Sequence, residues 1–165
     1  MMNYSNLNNL LINNKLILAS GSPRRVKLLG DAGIKFKQII PGIDENGCNW
    51  ENPYQTASEL AQKKAATILE DAPDNSVVLG CDTIVVIGNE VLGKPDSPDR
   101  ALVMLTKLSG NCHTVCSAVS LQHVNGSAFT DYELTDVYFN QVKKPRLLEY
   151  ISSGEPLDKA GAYGI

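Results

Sequence analysis

"KLILASGSPRRVKLL", residues Lys15 to Leu29, is the stretch on which the fold turns. "KLILA" is an apolar run of strand length. Ser20, Gly21 and Ser22 make a polar turn, with Ser22 placed to cap a helix whose first position is Pro23. The helix reads as "PRRVKLLGDAG", with Val26, Leu28 and Leu29 facing inward. Strand, glycine turn and helix start together point backbone N–H groups and the positive helix end at an anion. Arg24 and Arg25 would add bidentate phosphate donors. The stretch alone reads first as an ordinary solvated helix start, because the glycine fingerprints of dinucleotide and P-loop sites are absent.

Working outward, "IKFKQIIPGI" alternates as a strand and "DENGCNWENPYQT" is a polar loop containing Asp44 and Glu45. From Thr56 or Ser58, "ASELAQKKAATIL" carries apolar residues at 57, 60, 61, 65, 68 and 69, which is helical spacing. "NSVVLGCDTIVVIGNEVLGKP" gives a strand, a Gly-Cys-Asp break, a second strand, a Gly-Asn turn and a returning strand. "SPDRALVMLTKLSG" is a helix bounded by a Ser97 cap, Pro98 and Gly110. "HTVCSAVSLQHVNGSAFTDYELTDVYFN" is two long strands around an Asn-Gly turn, and "KKPRLLEYISSG" is a last helix stopped by Gly154. The order β-α-β-α-β-β-α-β-β-α predicts an α/β fold, a mixed sheet flanked by helices. Residues 1–14 are rich in Asn and read as a tail, leaving 15–165 as one domain.

Composition narrows the function classes. Hydrophobic residues make up 43% and charged residues 20%, an ordinary globular balance. A net charge of -3 gives no broad positive field for a nucleic-acid backbone, so a polyanionic ligand must be small and met by a local cluster. No apolar run approaches the ~20 residues that cross a bilayer. The start lacks the pattern of a secretory signal, and four cysteines without a CxxC pair suit a reduced, cytoplasmic protein. Cys112 and Cys116 flank His113 in what reads as a strand, so buried strand cysteines are expected rather than zinc ligands.

The sharpest single residue is Asp82, a carboxylate between "VVLG" and "IVVIG" that must be paired, metal-bound or used in chemistry, unless it caps a turn at a strand end. With Asp44 and Glu45 it could complete an oxygen site for magnesium, which takes one or two carboxylates plus substrate phosphates. Lys64 follows Lys63 on a helix and reads as part of a solvated face. "GNEVLGKP" spells G-x-x-x-x-G-K but puts Pro95 where a P-loop needs a hydroxyl, so Lys94 is at most a lone cation near phosphate. Two histidines, His113 and His123, and no G-x-S-x-G elbow argue against Ser-His-Asp or Cys-His chemistry.

Taken together, "LILASGSPRRVKLL", "LAQKKA", "GCDTIVVIGNEVLGKP", "KLSGNCHTV" and "YISSGEPLDKAGAYGI" resemble the Maf family, nucleoside triphosphate pyrophosphatases first linked to septum formation. The resemblance implies two lobes around a cleft, a fold similar to inosine-triphosphate pyrophosphatase, often as a homodimer. It implies hydrolysis of a nucleoside triphosphate to monophosphate and pyrophosphate with a divalent cation, Mg²⁺ or Mn²⁺. "ASGSPRR", "CDT" and "DKAGAYGI" are similar to the branch acting on dTTP and UTP.

By position, Asp82 corresponds to the family's proposed proton acceptor and Glu45 to a polar cleft residue, and the expected mechanism has Glu45 and Asp82 hold the metal together with phosphate oxygens. Arg24, Thr83 and Lys94 fall on substrate-site positions and Lys64, Asp158 and Lys159 on other polar cleft positions, while the triphosphate is expected across the Ser20–Arg25 loop, where Ser20, Ser22 and Arg25 would contact it, Arg25 alternatively supporting the loop. The family continues past "AGAYGI", so the domain reads as C-terminally truncated. The competing expectation is a nucleotide-binding protein acting in cell division without turnover, and a weaker one is an enzyme releasing single phosphates.

Overall fold

The computed structural model describes residue 11, residues 13–45 and residues 47–164. Most of the expected tail and the terminal Ile165 lie outside the described residues. Among those described, the elements follow the expected order. They are β1 (Lys15–Ala19), α1 (Pro23–Asp31), β2 (Phe36–Ile39), α2 (Pro53–Leu69) and β3 (Ser76–Ile87). Then come β4 (Glu90–Leu92), α3 (Pro98–Leu108), β5 (Cys112–His123), β6 (Ala128–Tyr138) and α4 (Lys144–Ser152). Two 3₁₀ turns, Glu155–Asp158 and Ala160–Ala162, close the chain.

The strands form one open mixed sheet in the order β2-β1-β3-β5-β6, with β4 beside β3. β1 is parallel to both neighbours, Ala19 lying opposite Ile39 on one side and Gly80 on the other. β4 returns antiparallel, with Val85 opposite Leu92. Because β2 and β3 flank β1 on opposite sides, the chain reverses its lateral direction there. The carboxyl ends of such strands are where open α/β sheets take ligands. Ser20 follows β1 at this point, and Asp82 lies two residues beyond Gly80 on β3.

The chain divides into two compact units. The first comprises Met1–Cys48, Ser58–Asp82 and Ala118–Tyr132, and its core packs Ile17, Ala19 and Val78 against Ala65 of α2. The second comprises Asn49–Ala57, Thr83–Ser117 and Glu133–Ile165, with Leu92, Leu105, Leu108 and Val115 at its centre. Leu92 and Leu108 are wholly enclosed, each burial stabilising by roughly 2 kcal/mol.

Several local expectations are corrected. β3 runs unbroken through Gly80-Cys81-Asp82, so Asp82 is an interior strand residue rather than a turn cap. Ser22 occupies the N-cap position of α1, yet its side chain makes no capping bond, whereas Ser97 accepts from the Arg100 amide as expected. Leu28 is exposed, and on α1 the half-buried apolar residues are Val26 and Leu29. α2 begins at Pro53, earlier than its apolar spacing indicated, because proline suits a first helical position. Of the two cysteines on β5, Cys116 is buried and Cys112 exposed.

Candidate active site

The centre of the first unit is set by a glycine. A Cβ on Gly80 would lie 2.1 Å from the Ala61 carbonyl oxygen and 2.7 Å from the Ala65 nitrogen, so α2 sits directly on the β3 backbone. On the stripe of α2 that makes this contact, Leu60, Ala61 and Ala65 are buried, and Lys64 shares it. The expected solvated lysine is therefore buried. Its ammonium donates to Asp82 Oδ1 at 2.5 Å and lies 2.9 Å from Glu45 Oε1. The side chains of Lys64 and Asp82 are 11% and 9% exposed, against 50% for Glu45. Lys63 is exposed and, among the described residues, its ammonium reaches only the Asp44 carbonyl, at 3.4 Å.

The loop after β1 is tied to the same place. Arg25 Nη1 donates to Ser20 Oγ at 2.9 Å and to the carbonyl of Cys81, the residue before Asp82, at 3.0 Å. Ser20, itself buried, also accepts from the Ser22 amide at 3.2 Å, and its carbonyl accepts from Gln38 Nε2 at 2.9 Å. The two arginines separate accordingly. Arg25 is held inward, while Arg24 is exposed with no hydrogen bond or ion pair among the described residues. Burial pushes the Cys81 thiol up, against the pull of the Arg25 and Lys64 charges, so it remains a neutral neighbour of Asp82.

In the second unit, Thr83 is half-buried on β3 and Lys94 is exposed just past β4. Lys159 is buried, its ammonium donating to the Glu155 carbonyl at 2.5 Å and to Asp158 Oδ1 at 2.8 Å. The structure thus brings together Ser20, Ser22, Arg25, Glu45, Lys64 and Asp82 in one unit, and Asp158 with Lys159 in the other. One contributor, Gln38, escaped sequence reasoning, and the burial of Lys64 was misread. Gln38 gave no signal on a short strand. Lys64 did give one, since it stands seven, four and three residues after Ala57, Leu60 and Ala61, on their helical face.

Chemically, the cluster is a buried carboxylate oriented by an ammonium, beside an uncapped helix start and an exposed guanidinium. Among the described residues no group of three or more His, Cys, Asp or Glu side chains gathers. Glu45 and Asp82 nonetheless converge on one point, that of the Lys64 ammonium. That point is held by the ammonium, so a divalent ion would bind beside it, through carboxylate oxygens that Lys64 does not take, with its remaining ligands from phosphate and water.

Fold and site together define an α/β protein with a charged cluster at the switch point of an open sheet. Among solved structures, the nucleoside-triphosphatase / dITP/XTP pyrophosphatase from Mycobacterium abscessus shares this fold, with a TM-score of 0.52 at 14% identity over 75% of this chain and 73% of that one. The dTTP/UTP pyrophosphatase of Photorhabdus laumondii is 42% identical over 150 residues, 91% of this chain and 76% of that protein. That of Salmonella typhimurium is 45% identical over the same shares. The profile of the Maf-like protein family matches residues 15–165. The chain belongs to the Maf-like protein family.

Proposed function

We infer that this chain hydrolyses nucleoside triphosphates, dTTP and UTP foremost, to the monophosphate and pyrophosphate. The observation that carries the reading is the identity of 42% and 45% to proteins named dTTP/UTP pyrophosphatase, across 91% of this chain. The buried Asp82–Lys64 pair supplies a chemical reason for it.

Water attacks the α-phosphorus, the bond to the bridging oxygen of the β-phosphate breaks, and pyrophosphate leaves. Asp82 accepts the water's proton. Lys64 holds Oδ1, and Oδ2 makes no bond to a described residue, so it is the oxygen available to the water. Arg24, at the uncapped start of α1, meets phosphate oxygens, while Ser20, Ser22 and Arg25 shape the loop beneath them. Thr83, Lys94, Asp158 and Lys159 are proposed as further substrate contacts on their family positions. Glu45 and Asp82 would hold Mg²⁺ or Mn²⁺, which when bound neutralises charge on the phosphates.

Pyrophosphate release from dTTP with Mg²⁺ tests the reading. Asp82→Asn is expected to lower turnover about a hundredfold or more. Orthophosphate as the first product, or near-normal turnover in Asp82→Asn, would reject it. A binding protein without turnover is not favoured, since the relatives of this chain carry enzyme names. None of the four cysteines forms a disulfide and no described helix is long and apolar enough to cross a membrane. We propose a cytoplasmic location, and a homodimer on the family's pattern, which sedimentation would test.

A further inference from the structure

The second unit holds a buried pair that the reaction leaves unassigned. His113 on β5 and Tyr163 are 3% and 8% exposed, and His113 Nε2 lies 2.6 Å from the Tyr163 hydroxyl. Phe139 meets both rings edge-on, with centroids 5.0 Å from the imidazole and 4.8 Å from the phenol. The other imidazole nitrogen, Nδ1, is buried with no hydrogen-bond partner among the described residues. A leucine would fill this space without a buried unpaired Nδ1, at the cost of the Tyr163 hydroxyl's partner. The histidine is thus a poor choice for packing, and what it adds is direction, because a hydrogen bond fixes where the Tyr163 ring ends. Burial holds the imidazole below its ordinary pKa and pushes the phenol up to about 12, so both partners are neutral at pH 7.

Tyr163 closes a turn that is itself constrained. Gly161 and Ala162 are consecutive left-handed residues, at φ 67° and 60°, and the second has no glycine freedom to excuse it. A Cβ on Gly161 would stand 3.0 Å from Val85 Cγ2, so the turn rests on β3. The Gly161 amide donates to the Gly93 carbonyl at 3.0 Å, and Gly93 is the residue before Lys94. At the other end, the Lys159 carbonyl accepts from the Ala162 amide at 3.0 Å. One short turn therefore carries Lys159, clasps the backbone next to Lys94 and is anchored to β5 through the phenol–imidazole bond.

We propose that His113 and Tyr163 are positioning residues for triphosphate binding, locking the 159–164 turn so that Lys159 and, through the Gly161–Gly93 bond, Lys94 are held in place. The inference rests on the reading of Lys94 and Lys159 as substrate contacts. Since both lysines act by binding charge rather than by moving a proton, disturbing them shows in KM before kcat.

The test is steady-state pyrophosphate release from dTTP with Mg²⁺, using the full chain. Tyr163→Phe and His113→Leu are each expected to raise KM about five- to tenfold with kcat within about twofold. The double variant should be no worse than either single, because one bond is lost in all three. His113→Gln, whose amide reaches the hydroxyl, should hold KM within about twofold of the parent. A merely structural pair would lower the melting temperature and leave the KM of the folded enzyme alone. The same ranking is expected in the Kd of a non-hydrolysable dTTP analogue, which is readable even where turnover is low. Unchanged KM and Kd in Tyr163→Phe and His113→Leu would overturn the inference, as would an equal rise in His113→Gln. Lys94→Met and Lys159→Met separate the two layers. If they raise KM and the pair's variants do not, the positioning role alone fails; if they leave KM unchanged, the lysine reading fails and the inference falls with it.

Discussion

Removing either partner of the Lys64–Asp82 bond should destabilise the fold by unequal amounts, and the structure says which is worse. Lys64→Met leaves the Asp82 carboxylate, 9% exposed, with no cation in contact. Stranding one member of a buried ion pair costs about 3–5 kcal/mol. The Arg25 guanidinium, which bonds the adjacent Cys81 carbonyl, relieves part of this charge, so the lower end, about 3 kcal/mol, is expected. Asp82→Asn strands much less. Its amide oxygen still accepts from Lys64, and Glu45 remains 2.9 Å away on a half-exposed side chain. Losing one charge-assisted bond under those conditions costs about 1 kcal/mol.

The difference of about 2 kcal/mol corresponds to a shift of about 1 M in urea midpoint, for a slope near 2 kcal/mol/M. Lys64→Met/Asp82→Leu, which removes both charges, should recover to within about 1 kcal/mol of the parent. Urea unfolding by far-ultraviolet circular dichroism at pH 7 reads all four proteins, with slopes checked for constancy. The reasoning is refuted if Lys64→Met is no less stable than Asp82→Asn, or if the double variant is no more stable than Lys64→Met.

Gly80→Ala should cost roughly 3 kcal/mol, because the added carbon meets helix backbone at 2.1 Å rather than a side chain that can yield. Gly21→Ala meets only Ile40 side-chain atoms at 3.6 Å or more and should stay within about 0.5 kcal/mol, so equal melting temperatures for the two would defeat the packing argument. Arg25→Ala should lower the melting temperature and Arg24→Ala should not, while Arg24→Ala raises KM for dTTP; the reverse pattern would exchange their roles. Stability should also fall at both ends of the pH scale. His113 has a folded pKa lowered by burial, so its contribution is present above the ordinary 6.5 and is lost as pH falls below it. Tyr163, raised by burial from 10 to about 12, contributes below pH 10 and loses that contribution between 10 and 12. Tyr163→Phe should flatten the alkaline limb of a melting-temperature profile, and a limb as steep as the parent's would count against the buried phenol.

The order of elements was legible because it is written in local chemistry: prolines at helix starts, glycines past helix ends and alternating apolar runs. The misread details are those in which a neighbouring element overrides local preference. Gly-Cys-Asp looks like a break because glycine and aspartate are poor strand formers. It is continuous strand because α2 lies on Gly80 too closely for any side chain, and because Asp82 has an ammonium to face. Lys64 looked solvated by residue type, although its spacing from Leu60 and Ala61 already put it on the inward face.

These two misreadings have one cause, and it bears on function. A glycine that weakens a strand and a lysine that interrupts an apolar stripe are each unfavourable alone; only the contact between α2 and β3 makes them compatible. Local rules fail together where a charged pair must be buried, and burial of that pair is what places an oriented carboxylate beside the Ser20–Arg25 loop. His113 repeats the pattern in the second unit, as an imidazole with one orphaned nitrogen in an aromatic nest. Residues that packing alone would not choose therefore mark both the carboxylate proposed to take the proton and the turn that carries Lys159.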